Sequence, residues 1–306
     1  MTSTAAPLES RWRPAAPVSI GLALAPLQRG SGDPTQKRGP DGAIWRTAQT
    51  PAGPGTLRLA SAGGEIDAAA WGPGADWLLA SVPALLGGND DPSGFRPQHP
   101  VIVATARRLP HLRLGAAGVV FELVIPSVLE QRVTGREAWR SWRELLWRFG
   151  QPAPGPAPRG LRVVPPAAVW RRIPSWEWHR AGVDPGRAKT VLAAATVAHR
   201  LDESLALPRD ERLRRLRAIP GIGEWTAAEI AQRSWGDSDA VSVGDFHLPD
   251  LVGWALAGRP VDDDGMLELL SCYPGHRHRA VRLVELSDVT KPRFGPRMPV
   301  GDIRSF

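Results

Sequence analysis

The chain has 306 residues, of which 42% are hydrophobic, so it is long enough for two compact domains and lacks the composition of a disordered protein. Lys and Arg outnumber Asp and Glu by 38 to 31, and only Lys37, Lys189 and Lys291 are lysines, so arginine carries nearly all of the positive charge. The single cysteine, Cys272, excludes an intrachain disulfide and cysteine-ligated zinc or iron–sulfur sites.

The arginine-rich charge has two interpretations. Guanidinium groups match phosphates and base edges, which fits an anionic polymer as partner. A GC-rich genome would also replace lysine with arginine throughout, and the abundance of Ala, Gly and Pro indicates that bias. Charge alone therefore leaves nucleic-acid binding open.

The first apolar run has some features of a signal peptide, because Arg11 and Arg13 precede residues 18–27. Within this run, however, apolar and small residues alternate with the period of a strand, and Pro26 would directly follow the nearest cleavage site. No run approaches the length of a membrane span. We therefore expect a cytoplasmic protein that does not associate with a membrane.

The first hundred residues contain short apolar or alternating runs broken by Gly and Pro, which is typical of an antiparallel sheet. Strands are predicted at residues 18–24, 43–47, 55–60 and 64–71. A helix is predicted at residues 75–86, and a turn-rich stretch follows at 87–100. We expect a small sheet domain over residues 1–105, in which we find no catalytic constellation.

From Arg107 onward the apolar period becomes helical. Helices are predicted at residues 118–131, 136–149, 165–172, 186–200, 210–218, 224–235, 246–257 and 277–286. A proline-rich loop is expected at residues 151–158. The predicted fold class is therefore α+β, with an all-helical domain over residues 106–289 and an irregular tail over 290–306.

The most specific segment is Pro220-Gly221-Ile222-Gly223 between two predicted helices. Two glycines allow a tight turn, and the apolar residue between them can anchor that turn in the core. Gly223 leads into a helix, whose first amides and dipole favour a phosphate. Such a turn can bind the DNA backbone without reading the base sequence.

A second signal lies downstream, where a short extended run ends at Gly244 and Asp245 precedes the next helix. An aspartate at this position can cap the helix, which is a purely structural role. The helix dipole also favours a negative charge there, as an electrostatic catalyst requires.

The glycine hairpin followed by an aspartate resembles the helix-hairpin-helix DNA glycosylase superfamily. Within that superfamily, residues 221–227 and the order of the elements resemble the bacterial 3-methyladenine-DNA glycosylase II family. The likeness covers residues 115–288 well. It extends more weakly over the first hundred residues, where that family has a sheet domain resembling half of the TATA-binding protein.

The resemblance implies a role for each matching residue. Asp245 would be the catalytic carboxylate, and Trp225 would form a wall of the pocket for the flipped base. The DNA contacts would come from the hairpin, in part through backbone amides, and from the residue that wedges into the base stack. The implied DNA-binding residues are Gly221, Ile222, Gly223, Thr226 and Arg132, with Gln131 beside the wedge and counted with the base pocket.

The same resemblance implies double-stranded DNA with damaged bases as partner, a monomer, and no obligate protein partner. No cofactor and no metal-ligating side chains are expected, although a monovalent cation could bind the backbone of Gly221 and Gly223. Members with lyase activity carry a lysine where this chain has Trp225. We therefore expect hydrolysis without strand cleavage, with alkylated purines as substrates.

The predicted pocket departs from the family pattern at two positions and keeps it at a third. Glu229 stands where an aromatic residue is common, His276 where a tryptophan is expected, and Phe246 keeps an aromatic residue beside Asp245. Glu229 could attract a cationic base, hydrogen-bond an exocyclic amine, or simply face solvent. Three alternatives stay open: a glycosylase for bulky, crosslinked or deaminated bases, a glycosylase for oxidised bases, and a damage-binding protein without catalysis.

Overall fold

The computed structural model describes residues 6–290. Its first part is a five-stranded antiparallel sheet in the order β1-β5-β4-β3-β2. The strands are β1 (Leu8–Trp12), β2 (Gln36–Arg38), β3 (Ile44–Thr50), β4 (Gly53–Ala62) and β5 (Glu65–Trp71). Helices follow, so the predicted α+β fold class is confirmed.

Two helices, α1 (Ile20–Leu24) and α2 (Ala75–Leu85), bury one face of this sheet. Leu57 and Leu59 lie two residues apart on β4 and so project to the same face, where they are buried with Leu24 and Val82. Burial of each such side chain stabilises the fold by about 1.5–3 kcal/mol relative to exposure.

The prediction of a strand at residues 18–24 is wrong, because this segment forms α1. The side chain of Ser19 accepts a hydrogen bond from the Leu22 amide at 3.3 Å and caps the helix. The chain then continues into a short 3₁₀ turn at Ala25–Leu27. Five helical residues are too few for alternating small and apolar residues to separate a helix from a strand.

Strands β1 and β2 have no counterpart among the predicted elements. β1 is an exposed edge strand, and Arg11 donates a hydrogen bond to Asp67 of β5 at 2.7 Å. β2 has only three residues. Neither strand shows apolar alternation, the signal on which strand prediction depends.

The second part is mostly helical. Its helices are α3 (Pro100–Arg108), α4 (Phe121–Leu129), α5 (Gly135–Phe149), α6 (Ala167–Trp170), α7 (Ser175–Arg180), α8 (Pro185–Thr196), α9 (Ala198–Glu203), α10 (Arg209–Arg217), α11 (Glu224–Ser234), α12 (Leu248–Ala257), α13 (Asp263–Leu270) and α14 (Arg277–Glu285). A two-stranded ribbon, β6 (Gln151–Pro152) with β7 (Arg162–Val163), lies in and beyond the predicted proline-rich loop. Every residue of α4 is buried, so this helix forms the centre of the helical core.

Several boundaries differ from the predicted ones. Helices α3, α7 and α13 were not predicted, and the helix expected at residues 186–200 divides into α8 and α9. α3 crosses the predicted domain boundary at residue 105, and its Ile102 is buried with Val281 of α14. The division of the chain at residue 105 stays a prediction. Residues 291–306 of the predicted tail lie outside the described residues.

A buried ion pair fastens the sheet to the helical core. Arg46 of β3 contacts Glu122 of α4 at 3.2 Å, and Glu122 also accepts a hydrogen bond from the Gln49 amide at 2.8 Å. Burial raises the pKa of Glu122, and Arg46 and the Gln49 amide oppose that rise. A second contact joins the two parts where the turn after α1 meets α11, because Arg233 donates a hydrogen bond to the Pro26 carbonyl at 2.9 Å.

Candidate active site

The predicted glycine turn lies between α10 and α11. Gly221 has a φ of 90°, and a Cβ atom at this position would lie 2.0 Å from Oγ1 of Thr190 on α8. The side chain of Ile222 is 4% exposed, so it anchors the turn in the core as expected. Both the backbone conformation and the closeness of α8 therefore require glycine at position 221.

The other glycine of the turn faces open space. Gly223 is the N-cap of α11, and no atom lies within 4 Å of a Cβ built on it. The Ile222 amide donates to the Ile219 carbonyl at 3.0 Å, so it is not free for the phosphate contact that was expected of it. Gly223 and the first turn of α11 remain as the anion-binding face of the hairpin.

Gln131 and Thr226 form a brace between the hairpin and the loop after α4. The Gln131 side-chain amide donates to the Gly221 carbonyl at 2.9 Å and to the Thr226 hydroxyl at 2.8 Å. Thr226 is only 2% exposed, so the structure does not present it to DNA as predicted. Gln131 likewise contacts the hairpin and is not among the residues that line the cavity described below.

Arg132, the predicted wedge, follows this brace. Its side chain is exposed and its φ is 53°, in the left-handed region that non-glycine residues rarely adopt. Arg132 is the one non-glycine residue with positive φ among residues 6–290. Such a conformation costs about 1–2 kcal/mol, and it persists here at the tip of the braced loop.

The carboxylate of Asp245 is held at both oxygens. Oδ1 accepts hydrogen bonds from the amides of His247 and Leu248 at 2.8 and 2.9 Å, where α12 begins. Oδ2 accepts a hydrogen bond from Nε1 of Trp225 at 3.0 Å. Asp245 therefore binds the N-cap residue His247 and the first residue of α12 without being the N-cap itself, and its second oxygen is oriented by the hairpin helix α11.

Asp245 lines a cavity of about 230 Å³ between α1, α11, α12 and α14. Ligand pockets usually measure about 300–1,000 Å³, so this cavity suits a compact ring system. The first part of the protein forms one wall through Leu22, Pro26 and Leu27. The polar lining residues are Arg113, Glu229, Gln232, Arg233, Ser242, Asp245, His247, His278, Arg282 and Glu285.

Glu229 is part of a polar network in this cavity. The alternative in which Glu229 simply faces solvent is therefore excluded. Its carboxylate accepts a hydrogen bond from the Ser242 hydroxyl at 2.6 Å and contacts the Arg233 guanidinium at 2.8 Å. Gln232 donates to the Ser242 hydroxyl at 3.0 Å. Arg233 also donates to the Pro26 carbonyl at 2.9 Å, which ties the network to the sheet part.

His278 on α14 is a buried residue of the cavity lining. It is 6% exposed, and burial together with the guanidinium groups of Arg282, Arg233 and Arg279 lowers its pKa well below the ordinary value. The imidazole is therefore neutral at neutral pH. His276, which was predicted for the pocket, instead lies against Phe95 with ring centroids 5.7 Å apart and does not line the cavity.

The two predicted aromatic residues lie outside the enclosed part of the cavity. Trp225 is half-buried and contacts Asp245, but it is not among the lining residues. Phe246 is 77% exposed and does not line the cavity. The structure thus gathers Asp245, Trp225 and Glu229 at one site and leaves out Phe246 and His276.

Sequence reasoning missed Arg233 and His278, although helical spacing places each of them on the same helix face as other residues that line the cavity. Arg233 lies one turn after Glu229 on α11 and so shares its face. His278, Val281, Arg282 and Glu285 follow the same rule on α14. No sequence pattern predicted that α1 lines the cavity, because this depends on how the sheet part packs against α11.

Among residues 6–290, no helix has both the length and the apolar character that a membrane span requires. In the same range, no group of three His, Cys, Asp or Glu side chains is arranged as a metal site.

Comparison with known proteins shows what the fold resembles. No protein-family model matches the chain. It is 30% identical over 158 residues to the probable bifunctional transcriptional activator/DNA repair enzyme AlkA of Mycobacterium tuberculosis. The aligned segment is 49% of this chain and 30% of that protein, so the chain spans less than a third of this curated relative.

Two solved structures share nearly the whole fold. The 3-methyladenine DNA-glycosylase from Archaeoglobus fulgidus superposes with a TM-score of 0.73 at 14% identity, over 90% of this chain and 96% of that one. The 8-oxoguanine glycosylase/lyase from Clostridium acetobutylicum, in its apo-form, gives a TM-score of 0.70 at 11% identity, over 93% and 99%. These similarities confirm that the chain shares the fold of these two DNA glycosylases, as the sequence resemblance predicted.

Proposed function

We propose that this chain, which has the fold of the helix-hairpin-helix DNA glycosylases, removes damaged bases from double-stranded DNA by hydrolysis. The observation that carries the proposal is the position of Asp245. Its carboxylate is oriented by an indole and two amides, lines a cavity of about 230 Å³, and is joined to a hairpin with an anion-binding face. A nucleotide whose phosphate lies at the hairpin could place its base in the cavity.

The chemistry follows from where charge develops. Alkylation at N3 or N7 makes a purine cationic, so it leaves with little acid assistance. The sugar develops positive charge as the glycosidic bond breaks, and the carboxylate of Asp245 stabilises that charge and orients the attacking water. We therefore propose alkylated purines as the substrates.

We further propose that the enzyme lacks lyase activity. A lyase needs an amine that forms a Schiff base with the sugar, and no lysine lines the cavity formed by the described residues. At position 225, where the lyase members of the superfamily carry lysine, the indole of Trp225 instead supports Asp245. The fold by itself does not decide this point, because one of the similar structures is named a glycosylase/lyase.

A monovalent cation at the hairpin remains a proposal. The Gly221 carbonyl already accepts a hydrogen bond from Gln131, and its second lone pair is available to a cation. No step of the proposed reaction depends on such an ion.

The decisive experiment measures base release from methylated duplex DNA by the wild type and the Asp245→Asn variant. Asp264→Asn, which changes an exposed carboxylate on α13, is the matched control. We expect Asp245→Asn to be at least about a hundredfold slower. The control should match the wild type, and strands should break only after alkali treatment.

Three outcomes would contradict parts of this proposal. A rate of base release by Asp245→Asn within a few-fold of the wild-type rate would contradict the catalytic role of Asp245. Strand cleavage without alkali, with a borohydride-trapped complex, would show a lyase. Tight duplex binding without release of methylated, deaminated, oxidised or crosslinked bases would favour a damage-binding protein.

A further inference from the structure

One segment of the sheet part contacts both the cavity and the loop that carries Arg132. This segment, the linking turn, comprises residues 26–33 directly after α1. The loop, which we call the wedge loop, comprises residues 130–134 between α4 and α5. Pro26 and Leu27 line the cavity, so one end of the linking turn belongs to the cavity wall.

The middle of the linking turn holds the first residue of the wedge loop. The Arg29 side chain is 6% exposed, and its Nε forms an ion pair at 3.4 Å with Oε1 of Glu130, the C-cap of α4. The same oxygen accepts a hydrogen bond from Nε1 of Trp139 at 3.4 Å, and the Trp139 ring packs against Gly30. Because water screens a buried guanidinium little, Arg29 holds Glu130, two residues before Arg132, against the linking turn.

The far end of the linking turn is fixed by Asp33, which is fully buried. Its Oδ2 accepts a hydrogen bond from the Arg29 amide at 2.6 Å. Its Oδ1 accepts hydrogen bonds from the Thr35 amide at 2.8 Å and from Nε1 of Trp142 on α5 at 3.2 Å. These bonds define the backbone position from which the Arg29 side chain reaches the wedge loop.

The Pro26 carbonyl connects this support to the cavity. It accepts hydrogen bonds from Nη1 of Arg29 at 2.8 Å and from Nε of Arg233 at 2.9 Å, so both of its lone pairs are used. Two guanidinium groups on one oxygen repel each other, and the carboxylates of Glu130 and Glu229 on their other sides offset that repulsion. A continuous path of polar contacts therefore joins the wedge loop to the cavity wall.

We propose that Arg29 is a positioning residue for base extrusion. Through Glu130 it sets where Arg132 enters the base stack relative to the cavity that receives the extruded base, and a misplacement of about 1 Å is costly for such a step. Arg29 itself does not line the cavity, so it leaves bond cleavage at Asp245 unaffected. This inference rests on the proposed function and gives the sheet part a role in opening the duplex.

The test compares one methylated purine in two contexts, paired in a duplex and unpaired in a single-nucleotide bulge. An unpaired base needs little help to leave the stack. The variant combines Arg29→Met with Glu130→Gln, so that no buried charge is left without its partner. We expect its single-turnover base release to fall at least about tenfold in the paired duplex and less than about twofold in the bulge. Glu130→Gln alone, a milder change, should lower the paired-to-bulge ratio by at least about threefold.

The matched control combines Arg46→Met with Glu122→Gln. This buried ion pair also joins the sheet part to α4, but at the opposite end of that helix from the wedge loop. The control should keep the ratio within about twofold of the wild-type value, and urea unfolding shows whether each protein is folded. A folded Arg29 and Glu130 variant that loses the same factor in both contexts has a purely structural defect, which overturns the proposal.

A double-mutant cycle tests whether Arg29 acts through the wedge. Arg132→Ala should also lower the paired-to-bulge ratio. Adding the Arg29 and Glu130 changes to Arg132→Ala should then lower the ratio by less than about twofold more, because a missing wedge cannot be misplaced. Effects that multiply would show that Arg29 acts independently of Arg132 and would overturn the proposal.

Extrusion measured without bond cleavage separates this inference from the proposed function. A 2′-fluoro-7-methylguanosine in the duplex resists hydrolysis, and a neighbouring 2-aminopurine fluoresces more strongly when the methylated base leaves the stack. A wild type that releases no base but gives this rise, with a rise at least about twofold smaller in the Arg29 and Glu130 variant, supports the positioning role and overturns the proposed catalysis. Equal rises in the two proteins, or no rise in either, overturn the positioning role, and base release then decides the proposed function separately.

Discussion

The indole Nε1 of Trp225 donates a 3.0 Å hydrogen bond to Oδ2 of Asp245, and this contact joins the hairpin helix α11 to the start of α12. The other carboxylate oxygen is held by the amides of His247 and Leu248. Two elements therefore define the orientation of one carboxylate. Because α11 begins at the hairpin, DNA bound there is coupled to the position of the charge that would act on the sugar.

Trp225→Phe should slow base release without weakening DNA binding. The variant keeps an aromatic ring and removes the indole donor to Asp245. A hydrogen bond to a charged group contributes about 1.5–3 kcal/mol, so we expect a loss of about tenfold to a hundredfold in single-turnover rate. Trp235→Phe is the matched control, since Trp235 donates a similar hydrogen bond to Asp237 at 3.2 Å. Equal rates for the two variants would contradict the role of this contact.

The two glycines of the hairpin should respond differently to alanine. Gly221→Ala places a Cβ against Thr190 at a φ of 90°, so we expect a loss of more than about 2 kcal/mol in unfolding free energy. Gly223→Ala meets no atom within 4 Å and should change stability by less than about 1 kcal/mol. Its methyl group would occupy the open face, so DNA affinity should fall about tenfold or more.

Urea unfolding and fluorescence anisotropy at fixed salt measure these two effects. If Gly223→Ala binds DNA as tightly as the wild type, the phosphate contact does not lie at the N-cap of α11. A Gly221→Ala variant as stable as the wild type would contradict the geometry of the turn.

Two substitutions of Arg132 separate the effect of its strained backbone on stability from the function of its side chain. Glycine adopts a φ of 53° without penalty, so Arg132→Gly should be about 1 kcal/mol more stable than Arg132→Ala. Both variants lack the guanidinium, and we expect both to lose base release to a similar degree. Thermal unfolding and single-turnover kinetics check this. Full activity in either variant would show that the side chain is not needed to open the duplex.

Stability should fall at mildly acidic pH because of His278. Burial and three guanidinium groups lower its pKa in the folded state, so below about pH 6.5 only the unfolded chain binds this proton. The folded state then loses about 1.4 kcal/mol per pH unit, until the pH reaches the lowered pKa. Asp245, Glu229 and Glu285 line the same cavity and also bind protons. The contribution of His278 is therefore measured as the difference between the wild type and a variant that lacks this histidine.

That difference is the unfolding free energy of the wild type minus that of His278→Gln, followed from pH 7.5 to 5 by urea unfolding. It should decrease with falling pH. Parallel profiles for the two proteins would show that His278 titrates normally and is not enclosed by the arginines.

The sequence by itself determined the local elements that have strong periodicity or turn chemistry. The helix-glycine-helix segment, the position of Asp245 before α12 and the change from sheet to helices all followed from residues close together in the chain. Such features depend on backbone preferences and on one apolar face, both of which are local properties. The exposed strand β1 and the short strand β2 lacked that signal, and in the short helix α1 the alternation of apolar and small residues wrongly indicated a strand.

Only the tertiary structure decided which side chains share the cavity. Glu229 and His278 lie 49 positions apart in the sequence, and Pro26 meets Arg233 across 207 positions. No local pattern encodes such pairings, because they depend on how α1, α11 and α14 come together around one cavity. For the same reason the prediction of His276 for the pocket is wrong: His276 precedes α14 as its N-cap and lies against Phe95, whereas His278 lies within the helix and lines the cavity.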